Sequence, residues 1–194
     1  MKLNEPIDAS CTILCGGSNS GMKQDKAWLI VNGDPVIKRM INQLSDIFSE
    51  IIISANDSEK FSQLNYRIVK DEFENCGPVT GIYCALKISN HQINFITAFD
   101  IPDMNRELII ILLRKADIFD AVVPRHPNSM IEPLYAVYNK KGINKIIDNA
   151  ADNKYKIHKA LKHMDTLYLN ILENDWYHNL NTMEDYQNHI NRSK

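Results

Sequence analysis

The sequence lacks the features that are typical of exported proteins, membrane-spanning proteins and proteins stabilised by disulfides or zinc. Its four cysteines form no C-x-x-C pair and have no histidine at metal-ligand spacing, so neither a disulfide framework nor a zinc site is expected. The longest apolar run, 108–113, is six residues, whereas about 20 are needed to cross a bilayer. The first residues include Glu5 and Asp8 and lack the basic start of a signal peptide. We therefore expect a cytoplasmic protein with reduced thiols and no membrane partner.

Charge of one sign does not dominate the chain as a whole. The formal net charge is -2, and lysine and arginine are scattered, which gives no electrostatic footprint for a polyanion. Nucleic acid is therefore not expected as a partner. Hydrophobic residues make up 44% of the 194 residues and charged residues 24%, values typical of an ordinary globular chain. The length is at the upper end of what one compact domain holds, so we predict a single domain over residues 1–194.

Short β-branched runs alternate with amphipathic stretches, and this alternation predicts the fold class. The predicted strands are 11–15, 50–55, 66–69, 93–99 and 119–123, and the helical patterns between them are about 35–48, 57–64, 78–89 and 104–116. Strands linked by helices make a largely parallel sheet covered on both faces. We therefore predict a three-layer α/β fold of Rossmann-like type, in which ligands bind at the carboxyl ends of the strands.

The last third of the chain follows a different pattern. Residues 132–139 and 166–172 are predicted strands, and 140–151 and 156–164 are predicted helices. A final helix is predicted to begin at Thr182, because Thr182 followed three residues later by Asp185 is typical of a capping box.

The first predicted strand runs into a loop dense in small residues. Residues 14–26 read LCGGSNSGMKQDK. Gly16 and Gly17 let the main chain turn sharply and approach a ligand, so that backbone amides can converge on phosphate oxygens, and Lys26 supplies positive charge. The segment fits neither G-x-x-x-x-G-K-[ST] nor G-x-G-x-x-G, which excludes the P-loop and dinucleotide-binding motifs. On its own it fits a plain exposed turn equally well.

Carboxylates follow two of the other predicted strands. Asp100 comes directly after the apolar run 93–99, and Asp71 comes just after the run 66–69, so both are expected at the ligand edge of the sheet. Asp71 also fits a solvated acidic turn. Gly77 precedes a helix that begins with Pro78, where free amides and the helix dipole favour an anion, although proline at a first helical turn is also a purely structural preference.

Four segments in order carry a resemblance to a known family. They are residues 14–26, Asp71 followed by GPVTGI at 77–82, FDIP at 99–102 and NLNT at 179–182. They resemble the LAGGxxxRMGxDK, D…GPLAGI, CDxP and NxNT motifs of the molybdenum cofactor guanylyltransferases, the MobA family of nucleotidyltransferases. The resemblance covers nearly the whole chain, and the four motifs together are more specific than any one of them.

The resemblance implies an activity and a set of site residues. The expected reaction transfers GMP from GTP to molybdopterin or Mo-molybdopterin, with Mg²⁺, or alternatively Mn²⁺, as the metal, and a molybdoenzyme or its chaperone as a further partner. Lys26 and Asp100 are the expected catalytic residues, and Asp100 also binds the metal. The expected nucleotide-binding residues are Leu14, Cys15, Gly16, Gly17, Lys26, Asn56, Asp71, Gly77 and Asp100. Asn179 and Asn181 are the expected acceptor contacts, with nucleotide- and acceptor-binding halves at about 9–103 and 104–194.

Two features bear on base choice and turnover. Gly16 stands where related cytidylyltransferases carry alanine, and the missing methyl group leaves room for a purine, which favours GTP over CTP. Residues 21–23 read GMK where the family has Arg-Met-Gly. A lysine does not reproduce bidentate phosphate binding by arginine, so a non-catalytic nucleotide-binding module stays open as an alternative. Another nucleotidyltransferase of the same fold, using CTP or a sugar-phosphate acceptor, also stays open, because it would share every feature up to the acceptor.

Basic residues in the back half are candidates for acceptor binding. The stretch that the family uses for its acceptor contains lysines and a histidine at positions 154, 156, 158, 159 and 162, which a solvated helix face explains equally well. Arg125 follows a predicted strand and could reach the same edge of the sheet, but no spacing rule assigns it there.

Overall fold

A sheet of seven strands forms the centre of the molecule. The computed structural model describes residues 5–16, 26–73, 77–147, 156–172 and 179–192. The strands of this sheet are β1 (Ile7–Leu14), β4 (Phe48–Ser54), β5 (Arg67–Val69), β6 (Ile93–Ala98), β7 (Ala121–Arg125), β8 (Tyr135–Asn139) and β9 (Thr166–Asn170), and β2 (Ile30–Val31) and β3 (Asp34–Pro35) form a separate hairpin. The spatial order in the sheet is β5-β4-β1-β6-β8-β7-β9. Strands from both predicted halves of the chain therefore share one sheet.

The strand directions fix where the functional edge lies. β5, β4, β1 and β6 are parallel neighbours, and β7 is parallel to β9, while β8 runs antiparallel between β6 and β7. Because β8 is antiparallel to both neighbours, β6 and β7 point the same way. The carboxyl ends of six strands therefore meet at one edge of the sheet, where α/β proteins bind their ligands. The prediction of a mostly parallel sheet is confirmed.

Helices cover both faces of the sheet. They are α1 (Val36–Ser45), α2 (Pro78–Ile88), α3 (Arg106–Leu113), α4 (Ile143–Ile147), α5 (Ile157–His163) and α6 (Met183–Arg192). Alternate residues of a strand point to opposite faces, and the buried clusters follow this alternation: Phe95 packs with the apolar faces of α1 and α3, whereas its neighbour Ile96 packs with α2, α4 and α5. This arrangement confirms the predicted three-layer fold.

The elements depart from the sequence-based expectation in three places. Residues 57–64 form a 3-10 helix over Glu59–Leu64, not an α-helix. The predicted helix 140–151 begins as a 3-10 turn at Lys140–Gly142 and continues as α4, beyond which the chain lies outside the described residues. The β2–β3 hairpin was not predicted, because each of its strands is two residues long and carries no alternating pattern.

Two expectations from composition can be compared with the described residues. No helix in this part of the chain combines the length and the apolar character that crossing a bilayer requires. The described cysteines, Cys11, Cys15 and Cys84, carry free thiols.

Candidate active site

The first strand delivers its loop to the centre of the ligand edge. The backbone amide of Cys15 donates to the carbonyl of Ser54 at 2.7 Å, and the amide of Phe99 donates to the carbonyl of Leu14 at 3.2 Å, so the ends of β1, β4 and β6 are joined. Burial raises the pKa of the Cys15 thiol, which keeps it protonated and unreactive. Gly16 is exposed, and Gly17 lies outside the described residues.

Asp100 lies immediately beyond β6, two residues after its last strand residue. Its Oδ1 atom is buried and accepts no hydrogen bond from any described residue. Burial raises the pKa of this carboxyl, the negative charge of Glu132 acts in the same direction, and a hydrogen bond from its own amide and the positive charge of Lys26 oppose them. A buried carboxylate oxygen without a partner is costly unless a cation or a ligand satisfies it. Asp100 is therefore a candidate ligand for such a group.

Two segments distant in sequence converge on the segment that carries Asp100. The amide of Leu180 donates to the backbone carbonyl of Asp100 at 2.8 Å. Lys26 begins a 3-10 turn at the end of the Gly-rich loop, and its Nζ donates to the backbone carbonyl of Asn181 at 2.7 Å. Residues from the motifs at 14–26, 99–102 and 179–182 are thus joined by direct hydrogen bonds.

The segment that carries the two asparagines is fixed by the start of α6. Asp185 accepts hydrogen bonds from the backbone amides of Asn181 and Thr182 at 3.1 and 2.8 Å, and its own amide donates to the Thr182 hydroxyl at 3.1 Å. This reciprocal pairing is the predicted capping box, which is thereby confirmed. The side-chain Oδ1 of Asn179 is buried and has no partner among the described residues. Asn179 therefore offers a second unsatisfied oxygen, on the residue that precedes the Leu180 amide bound to Asp100.

Asn56 and Asp71 form a reciprocal pair at the ends of β4 and β5. The Asn56 amide group donates to Asp71 Oδ2 at 3.0 Å, and the backbone amide of Asp71 donates to Asn56 Oδ1 at 2.9 Å. Each residue thus orients the other at the ligand edge. The assignment of either residue to the nucleotide stays a prediction.

Two glycines place the start of α2 against this edge. Gly77 has φ 64° and ψ -161°, a backbone conformation that is essentially restricted to glycine. A Cβ built on Gly81 would lie 2.9 Å from Ser54 Oγ, 3.1 Å from Leu14 Cδ2 and 3.5 Å from Asp71 Oδ1. The first turn of α2, with its free amides, is therefore packed directly against the ends of β1 and β4.

We expect Gly77→Ala to weaken both folding and nucleotide binding. The strained backbone should lower the free energy of unfolding by about 1–3 kcal/mol, and a shifted start of α2 should raise the Kd for GTP. Gly33→Ala is the matched control, because Gly33 has φ 91° in the β2–β3 turn with nothing within 4 Å of a built Cβ. Urea unfolding and calorimetric GTP titration of both variants check this. Equal loss of GTP affinity in both variants would contradict a local role for Gly77.

Side chains of α1 hold the Asp100 loop from behind. Gln43 donates to the carbonyl of Pro102 at 2.9 Å and accepts from the amide of Met104 at 3.0 Å, while Arg39 forms a 2.8 Å ion pair with Asp103. These positioning residues were not predicted from the sequence. The signal available was that α1 carries polar residues on the side that faces the protein, where its other residues are apolar.

The oxygen atoms at this edge fit a hard divalent cation. Among the described residues no three histidine, cysteine, aspartate or glutamate side chains cluster as a metal site would require. Asp100 Oδ1 and Asn179 Oδ1 are nevertheless buried oxygens without partners in the described chain. Mg²⁺ is commonly held by one or two carboxylates, with waters and substrate phosphates completing the shell. The donor set thus fits magnesium better than zinc, which prefers nitrogen and sulfur.

The basic residues of the back half lie in two environments, the open surface and the wall of a cavity. Lys156, Lys159 and Lys162 are exposed on or beside α5, and residue 154 lies outside the described residues. His158 lines a cavity that also contains Arg125, so the structure brings these two candidates together although no sequence rule paired them.

A family model matches most of the chain. The model described as "MobA-like NTP transferase domain" matches residues 11–167, which include the Gly-rich loop, Asp71 and Asp100. A protein of Aquifex aeolicus (strain VF5) named "Probable molybdenum cofactor guanylyltransferase" is 33% identical over 178 residues, covering 91% of this chain and 87% of that protein. A protein with the same name from Methanosarcina mazei is 29% identical, covering 95% and 91% of the two chains.

Solved structures share the fold. The molybdopterin-guanine dinucleotide biosynthesis protein A of Archaeoglobus fulgidus superposes with a TM-score of 0.79 at 19% identity, covering 95% of this chain and 98% of that one. A crystal structure of a protein from Aquifex aeolicus VF5 superposes with a TM-score of 0.70 at 31% identity, covering 84% and 86%. At 19% identity, the first structure supports only the fold. The second structure is similar to this chain in both fold and sequence.

Proposed function

The chain belongs to the MobA-like NTP transferase family and is a nucleotidyltransferase, and from this premise we propose that it transfers GMP from GTP to molybdopterin or its molybdenum-bound form. The products are the guanine dinucleotide form of the cofactor and pyrophosphate. Relatives that carry the name molybdenum cofactor guanylyltransferase and match nearly the whole chain support this choice of substrates.

One observation carries the proposal. Two hydrogen bonds, Leu180 to Asp100 and Lys26 to Asn181, bring a cation, a buried carboxylate and an asparagine to one point of the ligand edge. Nucleotidyl transfer brings two anions together, so the protein must supply positive charge and fixed donors where the phosphates meet. Lys26, the amides at the start of α2 and a cation held by Asp100 would together do so.

The proposed reaction is an in-line displacement in which each group of site residues has a separate role. A phosphate oxygen of the acceptor attacks the α-phosphorus of GTP, a new phosphorus–oxygen bond forms, and the bond to the β-phosphate breaks as pyrophosphate leaves. Lys26 holds the leaving phosphates by its charge. The Asn56–Asp71 pair orients the nucleoside, and Asn179 and Asn181 orient the acceptor phosphate. In this scheme no protein side chain becomes covalently attached to the nucleotide.

Asp100 and Asn179 would hold Mg²⁺, and Mn²⁺ would suit the same oxygens. When bound, the cation neutralises charge that develops on the phosphate oxygens during transfer. The side chains of Gln43 and Arg39 keep the Asp100 loop in place for this role by fixing Pro102 and Asp103.

Base choice rests on Gly16. A Cβ built on Gly16 meets no atom of the described residues within 4 Å, so this part of the structure leaves space beside it for a purine. We expect Gly16→Ala to raise the KM for GTP by about tenfold, the cost of one misplaced methyl group in a shaped pocket. The melting temperature should not change, because the new methyl group touches no atom of the described residues. Steady-state kinetics with GTP and CTP, together with thermal unfolding, check this; an unchanged KM for GTP would contradict it.

The proposed function is tested with purified protein, Mg²⁺, molybdopterin and each of the four nucleoside triphosphates, with pyrophosphate as the readout. We expect release with GTP that depends on molybdopterin. Release only with a sugar phosphate would indicate the other nucleotidyltransferase activity, and GTP binding without release would indicate the non-catalytic module.

The product must next reach an enzyme that uses it. We propose a molybdoenzyme or its chaperone as the recipient, since the guanine dinucleotide is a bound cofactor and not an end product. Pull-down with the chain as bait tests this interaction. The expected cytoplasmic location stays a prediction.

A further inference from the structure

A second recess lies on the same edge of the sheet as Asp100. β7 ends at Arg125 and β9 ends at Asn170, and these two residues are partners in the parallel register. β7 is separated from β6 by β8 alone. Two interstrand spacings amount to about 10 Å, so the recess at Arg125 is a short reach along the edge from the strand that delivers Asp100.

Two cavities meet at Arg125. One has a volume of about 580 Å³ and is lined by Arg125, Ser129, Met130, Ile131, His158 and Tyr168. The other has a volume of about 490 Å³ and includes Arg125, Ser129 and Asn170 in its wall. Because they share two residues, we treat them together and call them the Arg125 recess. Its walls combine an arginine, a tyrosine ring and apolar side chains, the mixture that small-molecule sites typically present.

The guanidinium of Arg125 is fixed in place. Its Nε donates to Asn170 Oδ1 at 2.8 Å, and its carbon lies 5.9 Å from the centre of the Tyr168 ring. The described residues accept no hydrogen bond from its two terminal nitrogens, so these donors remain for a ligand. A planar cation fixed beside an aromatic ring suits a planar heterocycle with hydrogen-bond acceptors on its edge.

The far wall of the recess is a turn closed by backbone hydrogen bonds. The amide of His126 donates to the carbonyl of Met130 at 2.8 Å, and the amide of Ser129 donates to the carbonyl of His126 at 2.9 Å. His126 Nε2 lies 2.9 Å from Glu132 Oε1, and both side chains are mostly buried. Met130, in the same turn, is 58% exposed and adds an apolar surface to this wall.

Resting on the proposed function, we propose that the Arg125 recess binds the heterocyclic ring system of the acceptor, while the acceptor phosphate lies at Asp100. The attacking phosphate must meet the nucleotide beside Lys26 and Asp100, so the other end of the acceptor extends along the sheet edge. Among the described residues at that edge, the recess combines a fixed cation, an aromatic face and an apolar wall. Arg125 and Tyr168 are thus specificity-determining residues for a planar heterocycle.

The test compares Arg125→Gln with Arg114→Gln. Arg114 is exposed at the end of α3, on the opposite edge of the sheet, and provides the same chemical change as a control. Loss of a charged hydrogen bond should raise the KM for molybdopterin by about tenfold or more in Arg125→Gln, while the Kd for GTP stays at the wild-type value. Tyr168→Leu should raise the same KM, and Arg114→Gln should change neither constant.

Pterin without a phosphate separates ring binding from phosphate binding. It should inhibit the wild type competitively against molybdopterin but not against GTP, and Arg125→Gln should raise its inhibition constant by about tenfold. An unchanged inhibition constant for pterin, or a KM for molybdopterin that stays at the wild-type value, would overturn the proposal. Failure of the wild type to use molybdopterin would instead refute the proposed function, and a wild type that uses only a sugar phosphate would overturn both.

Discussion

Asp100→Asn should lower kcat by roughly 10²- to 10³-fold, the effect of removing one preorganised charged group from a site of this kind. The substitution preserves shape and removes only the charge that would hold the cation. Asp117→Asn is the control, because Asp117 is an exposed carboxylate beyond α3, at the opposite edge of the sheet. It should retain wild-type kcat. Pyrophosphate release over a range of Mg²⁺ concentrations checks both variants, and full activity in Asp100→Asn would contradict the metal assignment.

The same variant should be more stable than the wild type at pH 7. Burial raises the pKa of Asp100 in the folded state, so the folded protein binds this proton more tightly than the unfolded chain does. The ionised carboxylate therefore destabilises the fold, and this cost is fully present above the folded-state pKa and disappears below the ordinary, unfolded-state pKa. Asparagine cannot ionise and removes the cost. Thermal unfolding at several pH values should show the gain in Tm shrinking as the pH falls.

A stability gain joined to a loss of activity would separate function from folding. A site that retains an unsatisfied buried oxygen sacrifices stability for chemistry. A lower Tm in Asp100→Asn would show instead that Asp100 supports the fold, and the loss of activity would then need a structural explanation.

Lys26→Met should lower kcat/KM for GTP by about 10²-fold. The methionine keeps the length and apolar stem of the side chain but removes the donor to Asn181 and the charge that we propose holds the phosphates. Lys26→Arg should recover part of the loss, since it restores charge with a different geometry. Lys38→Met, at an exposed position on α1, is the control. Initial rates against GTP concentration check the series.

An intact kcat/KM in Lys26→Met would mean that another cation binds the triphosphate. The lysine and glycine at 23 and 21, which lie outside the described residues, would then be the first positions to vary. Equal losses in Lys26→Met and Lys38→Met would point to a general effect of net charge on the approach of GTP.

Most of the fold was predictable because its signals are local. Apolar runs such as 93–98 are buried strands, and the alternation with helices required a parallel sheet. The capping box between Thr182 and Asp185 was also readable, since both partners lie within one helical turn. The antiparallel direction of β8 was not specified, because pairing direction depends on where the chain travels next and not on the pattern within the strand.

The candidate site was predictable where resemblance covered it and not where contacts are long-range. Residues 26, 71, 100 and 179–182 stood in family motifs, and the structure brings the segments at 26, 100 and 179–182 together. The hydrogen bond from Lys26 to Asn181 spans 155 residues, and no local pattern encodes such a contact. The same holds for the Asn56–Asp71 pair and for the support of the Asp100 loop by Gln43 and Arg39, which only the packing of α1 creates.

The Arg125 recess shows the same division. Arg125 was visible in the sequence as a basic residue after a strand, yet its partners Asn170 and Tyr168 are brought beside it by the parallel pairing of β7 with β9. The role proposed for Arg125 therefore depends on the sheet topology and could not be predicted from residue spacing along the chain.

The proposed transfer of GMP from GTP to molybdopterin is tested most directly by following the phosphorus atoms of GTP. Wild-type protein is incubated with Mg²⁺, molybdopterin and GTP labelled at either the α- or the γ-phosphate, and the products are separated and counted. GMP transfer predicts that the α-label appears in the guanine dinucleotide product and the γ-label appears in pyrophosphate, and that both appear roughly 10²- to 10³-fold more slowly in Asp100→Asn. A γ-label that enters the product, or an α-label that stays in GTP under all conditions, would contradict the account.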